Sequence, residues 1–248
     1  MVTLKTIDIS IVITSYNYGH FIKECIDSCL LQASSGLNYE VIVIDDGSTD
    51  QTPSVLTTIN DVRLRKFRIE NSGIEKAANL AFENAYGKYV VRVDADDKLY
   101  PNFLRSISPY LEMGCGFIYS NYAVINAASE ILDEIQLPSF QVSEIYQRGD
   151  FLATGTVYLK NNIMQLGGYN TEKINNGLEN YQLILMLLNL GHIGIHVPLQ
   201  LFGYRRHGSN LSETKKKQII SNGKALFTRM GLGIYRTNEF HPYNLVID

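Results

Sequence analysis

The sequence has few cysteines and no excess of basic residues. Its three cysteines, Cys25, Cys29 and Cys115, form no CxxC pair, and an odd number argues against a disulfide framework. The 248 residues carry a formal net charge of -3, whereas nucleic-acid-binding proteins usually have a strongly basic surface. We therefore expect buried, reduced thiols and no nucleic-acid partner.

Long hydrophobic runs are missing as well. No run approaches the roughly 18 apolar residues that a membrane-spanning helix needs, and residues 1–8 lack the apolar core of a signal peptide. These absences predict a cytoplasmic protein. Three consecutive lysines, residues 215–217, are expected to form a solvated helix face, and a peripheral contact with an anionic surface at the inner face of the membrane stays open.

Glycine-rich phosphate-binding loops are also absent. No G-x-G-x-x-G follows the first predicted strand, and no G-x-x-x-x-G-K-[ST] occurs anywhere. This weighs against dinucleotide oxidoreductases and P-loop enzymes. A nucleotidyltransferase would need a basic glycine-rich loop after the first strand, which is missing too. A phosphate-bearing ligand would therefore need a metal ion to offset its charge.

The first half of the chain alternates strand and helix signals. Apolar, β-branched runs predict strands at residues 7–14, 39–44, 64–69 and 89–93, and 3.6-residue periodicity predicts helices at 20–32, 52–59 and 73–86. This alternation predicts an α/β fold with a mostly parallel, twisted sheet flanked by helices. The second half is less regular: a strand is predicted at 116–125 and a helix at 181–190, while residues 127–147 have no clear assignment.

Polar residues follow three of the predicted strands, at residues 14–17, 45–48 and 94–97. Because ligands gather at the carboxyl ends of parallel strands, these turns are expected to form one site. The three carboxylates of residues 94–97 repel one another unless a cation or strong donors lie among them. Oxygen ligands suit Mg²⁺ or Mn²⁺. The alternative is an acidic turn that caps the next helix.

Four segments resemble, in order and spacing, the signatures of family 2 glycosyltransferases with the GT-A fold: residues 11–17, 43–50, 71–73 and 94–97. The resemblance is strong over residues 8–105 and continues more faintly to about residue 210. It implies an inverting transfer of a sugar from a nucleotide-diphosphate sugar, expected to be a UDP-sugar, to a hydroxyl group of a glycan or lipid-linked acceptor. Surface polysaccharide synthesis is the expected context, and Mg²⁺ or Mn²⁺ is the expected cofactor.

The resemblance also assigns site residues by position. The implied metal ligands are Asp94, Asp96, Asp97 and His207. Lys76 could replace the arginine that the family commonly carries where this chain has Ala78, and Arg205 or Arg206 could offset leaving-group charge. The full set of implied donor contacts is Thr14, Ser15, Tyr16, Asn17, Asp45, Asp46, Asn71, Gly73, Lys76, Asp94, Ala95, Asp96 and Arg205.

The catalytic base is the main departure from the family pattern. Glu179 and Asn180 stand where the family usually has a Glu-Asp pair whose aspartate is the base. Because an amide cannot accept the proton, Glu179 is the predicted base. Alternatively, Asn180 only positions the acceptor and another group such as Glu172 is the base, or the chain is a catalytically impaired nucleotide-sugar or glycan-binding module. The structural alternative is that Glu179 and Asn180 only occupy the first turn of a helix.

The expected organisation is one GT-A domain in two halves. Residues 1–110 form the donor-binding half, residues 111–211 the acceptor-binding and catalytic half, and residues 212–248 a C-terminal helix and tail. Glycines within residues 155–170 are equally consistent with acceptor approach and with two turns flanking a short helix.

Overall fold

The structure, a computed structural model, describes residues 6–152, 154–172, 177–208, 210, 214–239, 241 and 247. The strands in these residues are β1 (Ile9–Ser15), β2 (Tyr39–Asp45), β3 (Leu64–Arg68), β4 (Tyr89–Asp94), β5 (Lys98–Leu99), β6 (Phe117–Ile125), β7 (Ile131–Ile135), β8 (Val157–Leu159) and β9 (Gly194–Arg205). The helices are α1 (Ile22–Leu30), α2 (Thr52–Thr58), α3 (Ile74–Asn84), α4 (Phe103–Ile107), α5 (Val142–Arg148), α6 (Lys160–Gln165), α7 (Glu179–Asn189) and α8 (Lys216–Met230), with a 3₁₀ turn at Ser108–Tyr110.

The described strands form one nine-stranded sheet in the order β3-β2-β1-β4-β8-β6-β9-β5, and β7 pairs with the second half of β6. β1 pairs in parallel with both β2 and β4, and β2 pairs in parallel with β3. Every residue of β1 and β2 is buried, since apolar residues on both faces of these strands pack into one core. The strand and helix alternation predicted for the first half is confirmed, with boundaries shifted by up to two residues.

The second half adds antiparallel pairs to the sheet. β8 lies between β4 and β6 and is antiparallel to both, whereas β6 and β9 run parallel. Residues 127–147, which the sequence left unassigned, contain β7 and α5. Four of the five β7 residues are exposed, so this edge strand lacks the apolar alternation that reveals a strand in sequence.

The two halves of the chain are joined by the sheet and by side-chain contacts. Asn79 on α3 donates through Nδ2 to the Tyr169 carbonyl at 2.8 Å, and its Oδ1 accepts from the Tyr169 amide at 2.7 Å. On the other side, Phe227 of α8 stacks on Tyr181 of α7 with ring centroids 6.2 Å apart. Among the helices of the described residues, none has the length and apolar character needed to cross a membrane.

Candidate active site

One cavity of about 440 Å³ opens at the carboxyl ends of β1, β2 and β4, the edge where the sequence predicts a site. Its walls come from those strand ends, the start of α3, the start of α7 and the segment before α8. The structure brings eleven of the predicted residues to this cavity: Thr14, Ser15, Tyr16, Asp46, Asn71, Gly73, Asp94, Ala95, Asp96, Glu179 and Asn180.

Asp46 shapes one wall by binding the loop before α3. Its Oδ1 accepts from the Ser72 amide at 2.8 Å and the Ser72 hydroxyl at 3.1 Å, and its Oδ2 accepts from the Gly73 amide at 2.9 Å. Gly73 has φ of +96°, a conformation that side chains disfavour, and its amide reaches Asp46 from there. The carboxylate thus fixes the shape of this wall.

Unpaired hydroxyl groups mark the neighbouring wall. Thr14 Oγ1 and Ser15 Oγ are buried and have no hydrogen-bond partner among the residues that the structure describes. Next to them the Tyr16 ring is 46% exposed and lines the cavity. Because buried polar atoms are normally hydrogen-bonded, these hydroxyls are suited to bind a polar ligand. The aromatic ring offers a surface on which a flat base can stack.

Asp96 and His207 provide the donors most suited to a metal ion. His207 Nε2 lies 2.9 Å from Asp96 Oδ2, and the His207 amide donates to Asn210 Oδ1 at 3.0 Å, which fixes the loop. No group of three or more His, Cys, Asp or Glu side chains in the described residues could hold a metal alone. A carboxylate and an imidazole nevertheless fit an ion such as Mg²⁺ or Mn²⁺ that also binds substrate phosphates.

Arg92 organises the charges at the base of the cavity, and sequence reasoning gave it no role. Its Nη1 donates to Glu179 Oε1 at 2.8 Å, and its Nη2 lies 3.1 Å from Asp94 Oδ1. Thr154 Oγ1 also donates to Asp94 Oδ2 at 3.1 Å. Asp94 thus forms an ion pair with Arg92 and a hydrogen bond with Thr154, while its Oδ1 is buried without a hydrogen-bond partner among the described residues. Its role as a metal ligand stays a prediction. A cation within the apolar run 90–93 was the signal that could have indicated Arg92.

Glu179 and Asn180 both open α7, as the structural alternative expects, and both also line the cavity. Glu179 Oε2 is buried without a hydrogen-bond partner among the described residues. Asn180 is fully engaged: Oδ1 accepts from the hydroxyls of Tyr158 at 2.6 Å and Tyr169 at 3.2 Å, and Nδ2 donates to the Leu152 carbonyl at 2.6 Å. Asn180 thus connects three parts of the second half.

Besides Arg92, three more charged residues line the cavity that sequence reasoning did not place there: Glu75, Asp150 and Lys215. Burial raises the pKa of Glu75, and nearby Glu179 raises it further. Burial and the charge of Glu179 likewise raise the pKa of Asp150, although Arg92 opposes the shift. Lys215 precedes α8 and lies at the cavity rather than on a purely solvated face. Asp150 falls just beyond the unassigned region and carried no sequence signal.

Two predicted residues, Arg205 and Asp97, lie behind the cavity wall instead of lining it. The Arg205 side chain is completely buried; its Nε donates to the Asp96 carbonyl at 2.6 Å and its Nη2 pairs with Glu24 at 2.7 Å. Asp97 Oδ1 accepts from the Arg205 amide at 2.8 Å, and burial with nearby Asp96 and Asp94 raises the Asp97 pKa. Neither side chain lines the cavity, although Asp97 Oδ2 is buried and has no hydrogen-bond partner among the described residues. The donor role of Arg205 and the metal role of Asp97 stay predictions.

His207 is also absent from the cavity lining and contacts Asp96, whereas the remaining predicted residues outside the cavity stabilise turns or face solvent. Asn17, with φ of +62°, accepts from the Thr49 amide at 2.8 Å, and Asp45 Oδ1 accepts from the Ser48 amide at 2.9 Å. Lys76 is exposed on α3 and does not line the cavity. Glu172, the alternative base, pairs with Arg229 at 3.1 Å at the surface. Turn hydrogen bonds and solvent exposure account for Asn17, Lys76 and Glu172, whereas Asp45 Oδ2 is buried without a hydrogen-bond partner among the described residues and lies 3.5 Å from Arg68.

Parallel strands that end in polar side chains around a cavity are the arrangement in which α/β proteins bind small molecules at their strand ends. Comparison with solved structures identifies the fold. S. aureus TarS 1-349 in complex with UDP-GlcNAc is similar with a TM-score of 0.71 and 18% identity, over 92% of this chain and 67% of that chain. Mannosyltransferase PcManGT from Pyrobaculum calidifontis, in complex with GDP-Man and Mn²⁺, is similar with a TM-score of 0.69 and 18% identity, over 97% of this chain and 68% of that chain. The predicted GT-A fold is confirmed.

Sequence comparison identifies the family. Residues 10–160 match Glycosyl transferase family 2, and the chain belongs to this family. Hyaluronan synthase of Pasteurella multocida is 29% identical over 94% of this chain and 24% of its own length. An uncharacterized glycosyltransferase of Rickettsia felis is 36% identical over 51% of this chain and 21% of its own length. TuaG of Bacillus subtilis, a putative teichuronic acid biosynthesis glycosyltransferase, is 32% identical over 51% of this chain and 51% of its own length. The chain thus spans about a quarter or less of the first two relatives.

Proposed function

We propose that this chain transfers a sugar, with inversion, from a nucleotide-diphosphate sugar to a hydroxyl group of a glycan or lipid-linked acceptor. The observation that carries the proposal is the cavity at the carboxyl ends of β1, β2 and β4, in a chain of glycosyl transferase family 2. The relationship to hyaluronan synthase and to TuaG supports a role in polysaccharide synthesis. We propose a UDP-sugar as the donor, since the TarS structure contains UDP-GlcNAc.

In this proposal the nucleoside occupies the wall formed by β1, β2 and the start of α3. The Tyr16 ring stacks on the base, while the buried hydroxyls of Thr14 and Ser15 gain the hydrogen bonds that they lack within the described structure. The Asp46 carboxylate keeps this wall in place through Ser72 and Gly73.

Asp96 and His207 would hold a divalent metal ion beside the donor diphosphate. The ion, which we propose to be Mg²⁺ or Mn²⁺, would supply positive charge to the departing diphosphate. The PcManGT structure contains Mn²⁺ with its donor, which supports this part of the proposal. Lys215 lies at the same cavity and adds a cation from the protein itself.

The test measures nucleoside diphosphate released from sugar nucleotides by the purified chain. UDP-GlcNAc, UDP-glucose and GDP-mannose are incubated with MnCl₂, with and without oligosaccharide acceptors, and released UDP or GDP is quantified. We expect metal-dependent release that acceptors accelerate, with the sugar's anomeric configuration inverted in the product. Absence of release from every donor would refute the enzymatic proposal.

A binding module is the second candidate, because Asn180 occupies the position of the family's catalytic aspartate. Such a protein would bind UDP-GlcNAc in the cavity without turnover. Calorimetry separates the two candidates: heat of donor binding together with no nucleotide release would favour the binding module.

A further inference from the structure

The proposed transfer needs a proton acceptor, and Asn180 cannot supply one. The acceptor hydroxyl attacks the anomeric carbon, a new carbon–oxygen bond forms, and the bond from that carbon to the diphosphate breaks with its electron pair leaving on the diphosphate oxygen. The hydroxyl proton must pass to a base in the cavity. Three cavity carboxylates lie outside the strand-end motif and are available for comparison: Glu75, Asp150 and Glu179.

Glu179 is poorly placed to take a proton. Its Oε1 accepts a hydrogen bond of 2.8 Å from the guanidinium of Arg92, and both side chains are buried. Protonation of Glu179 would remove one of the two carboxylates, Asp94 and Glu179, that offset the buried positive charge of Arg92. Loss of one partner of a buried ion pair is energetically costly. Glu179 therefore serves better as a fixed anion that holds Arg92.

Glu75 lies on the nucleoside side of the cavity. It occupies the first turn of α3, two residues after Gly73, whose amide binds Asp46. The positive charges of Arg92 and Lys215 both favour its ionised form. It therefore belongs to the donor-binding half of the chain, beside the loop that Asp46 holds.

Asp150 shares with Glu179 a buried oxygen that has no hydrogen-bond partner among the described residues, but it lacks the ion pair that holds Glu179 to Arg92. It lines the cavity from the segment between α5 and β8, in the second half of the chain. Its Oδ1 is buried and has no hydrogen-bond partner among the described residues. A proton on Asp150 would relieve repulsion from Glu179 without breaking an ion pair, in agreement with the raised pKa of its carboxyl.

Asn180 holds the segment that carries Asp150. Its Nδ2 donates at 2.6 Å to the carbonyl of Leu152, two residues after Asp150, while its Oδ1 accepts from two tyrosine hydroxyls. An ionised aspartate has only acceptor atoms, so at position 180 it would face the Leu152 carbonyl without a hydrogen to donate. The amide therefore performs a task here that the family's carboxylate could not.

On the basis of the proposed transferase activity, we propose that Asp150 is the catalytic base and that Asn180 is a positioning residue that holds the Asp150 segment. Asp150 accepts the proton of the attacking hydroxyl during transfer and afterwards releases it to solvent. The departure from the family's Glu-Asp pair is then a relocation of the base within one cavity rather than a loss of activity.

The first test compares D150N with D133N, the same change at an exposed position on β7. The probe is UDP-GlcNAc with MnCl₂ and water as the acceptor, with UDP release and calorimetric UDP binding as readouts. We expect D150N to lower kcat by about 100-fold or more while KM and UDP affinity stay near those of the wild type, because a positioned base contributes roughly 10²–10⁴-fold. D133N should behave as the wild type.

The second test uses N180D, which restores the family's Glu-Asp pair. We expect a lower kcat with little change in KM for the donor, and faster amide hydrogen exchange in residues 149–152. A gain of activity in N180D, or normal turnover in D150N, would overturn the inference while the proposed function stands. An inactive wild-type protein would overturn both, so the two failures are distinguishable.

Discussion

Arg92 is the residue whose loss should most affect stability near the cavity. Its guanidinium is the buried counter-charge for Asp94 and Glu179. In R92M both carboxylates would lose their cation, and we expect the free energy of unfolding, measured with urea, to fall by about 3 kcal/mol or more. The double variant R92M/E179Q, which also removes the unpaired negative charge of Glu179, should recover part of that loss. Equal stability of R92M and the wild type would contradict the role assigned to Arg92.

The carboxyl group of Asp150 should make the free energy of unfolding depend on pH. Because burial and Glu179 raise its folded-state pKa above the unfolded value, the folded state binds the proton more tightly. The contribution of this carboxyl group to the free energy of unfolding is therefore lost as the pH rises from its unfolded-state pKa through its folded-state pKa. D150N removes the ionisable group, so the free energy of unfolding of D150N relative to the wild type should increase between pH 4 and pH 8, as measured by urea titration at each pH. If the free energy of unfolding of D150N relative to the wild type decreased as the pH rose, the raised pKa of Asp150 would be contradicted.

At the scale of elements, the segment before α8 contributes a cation to a cavity that is otherwise built from strand ends. Lys215 lines the cavity, whereas its neighbour Lys217 is exposed and does not. We expect K215A to weaken UDP binding by about two- to five-fold, the effect of an exposed ion pair, and the loss to shrink at high salt. K217A is the matched control and should bind UDP as the wild type does in calorimetry. Equal weakening by both variants would indicate a general charge effect.

The elements also show why the strand ends converge. Parallel pairing aligns Thr14 with Asp94 and Ser15 with Asp45, so the turns after β1, β2 and β4 emerge side by side. That outcome follows from the apolar strands and was predictable from the sequence. The positions of β7 and α5 were not, because β7 is largely exposed and the apolar pattern in this region is weak.

At the scale of the whole molecule, ligand binding should stabilise the fold. A ligand that binds only the folded state adds about 2.7 kcal/mol when present at 100 times its Kd. We expect UDP with MnCl₂ to raise the Tm of the wild type, and EDTA to reduce that shift. H207A should show a smaller dependence on Mn²⁺ than the wild type, since His207 is a proposed ligand. A UDP-induced shift that EDTA leaves unchanged would contradict a metal at Asp96 and His207.

The sequence by itself determined the alternation of strands and helices, the polar turns after three strands and the resemblance to the family. These features depend on residues close together in the chain, and apolar periodicity and turn chemistry record them directly. Thr14, Asp46 and Asp96 were therefore identified as cavity residues from sequence.

Only the tertiary structure decided which charged side chains line the cavity and which form ion pairs and hydrogen bonds inside the protein. Arg92, Asp150 and Glu179 come from distant parts of the chain, and their pairing depends on burial and on distances that no local pattern encodes. The same applies to Arg205, whose donors are consumed by Asp96 and Glu24 behind the wall. A charge in the sequence shows that a partner is needed, but only the packed fold shows which partner it has.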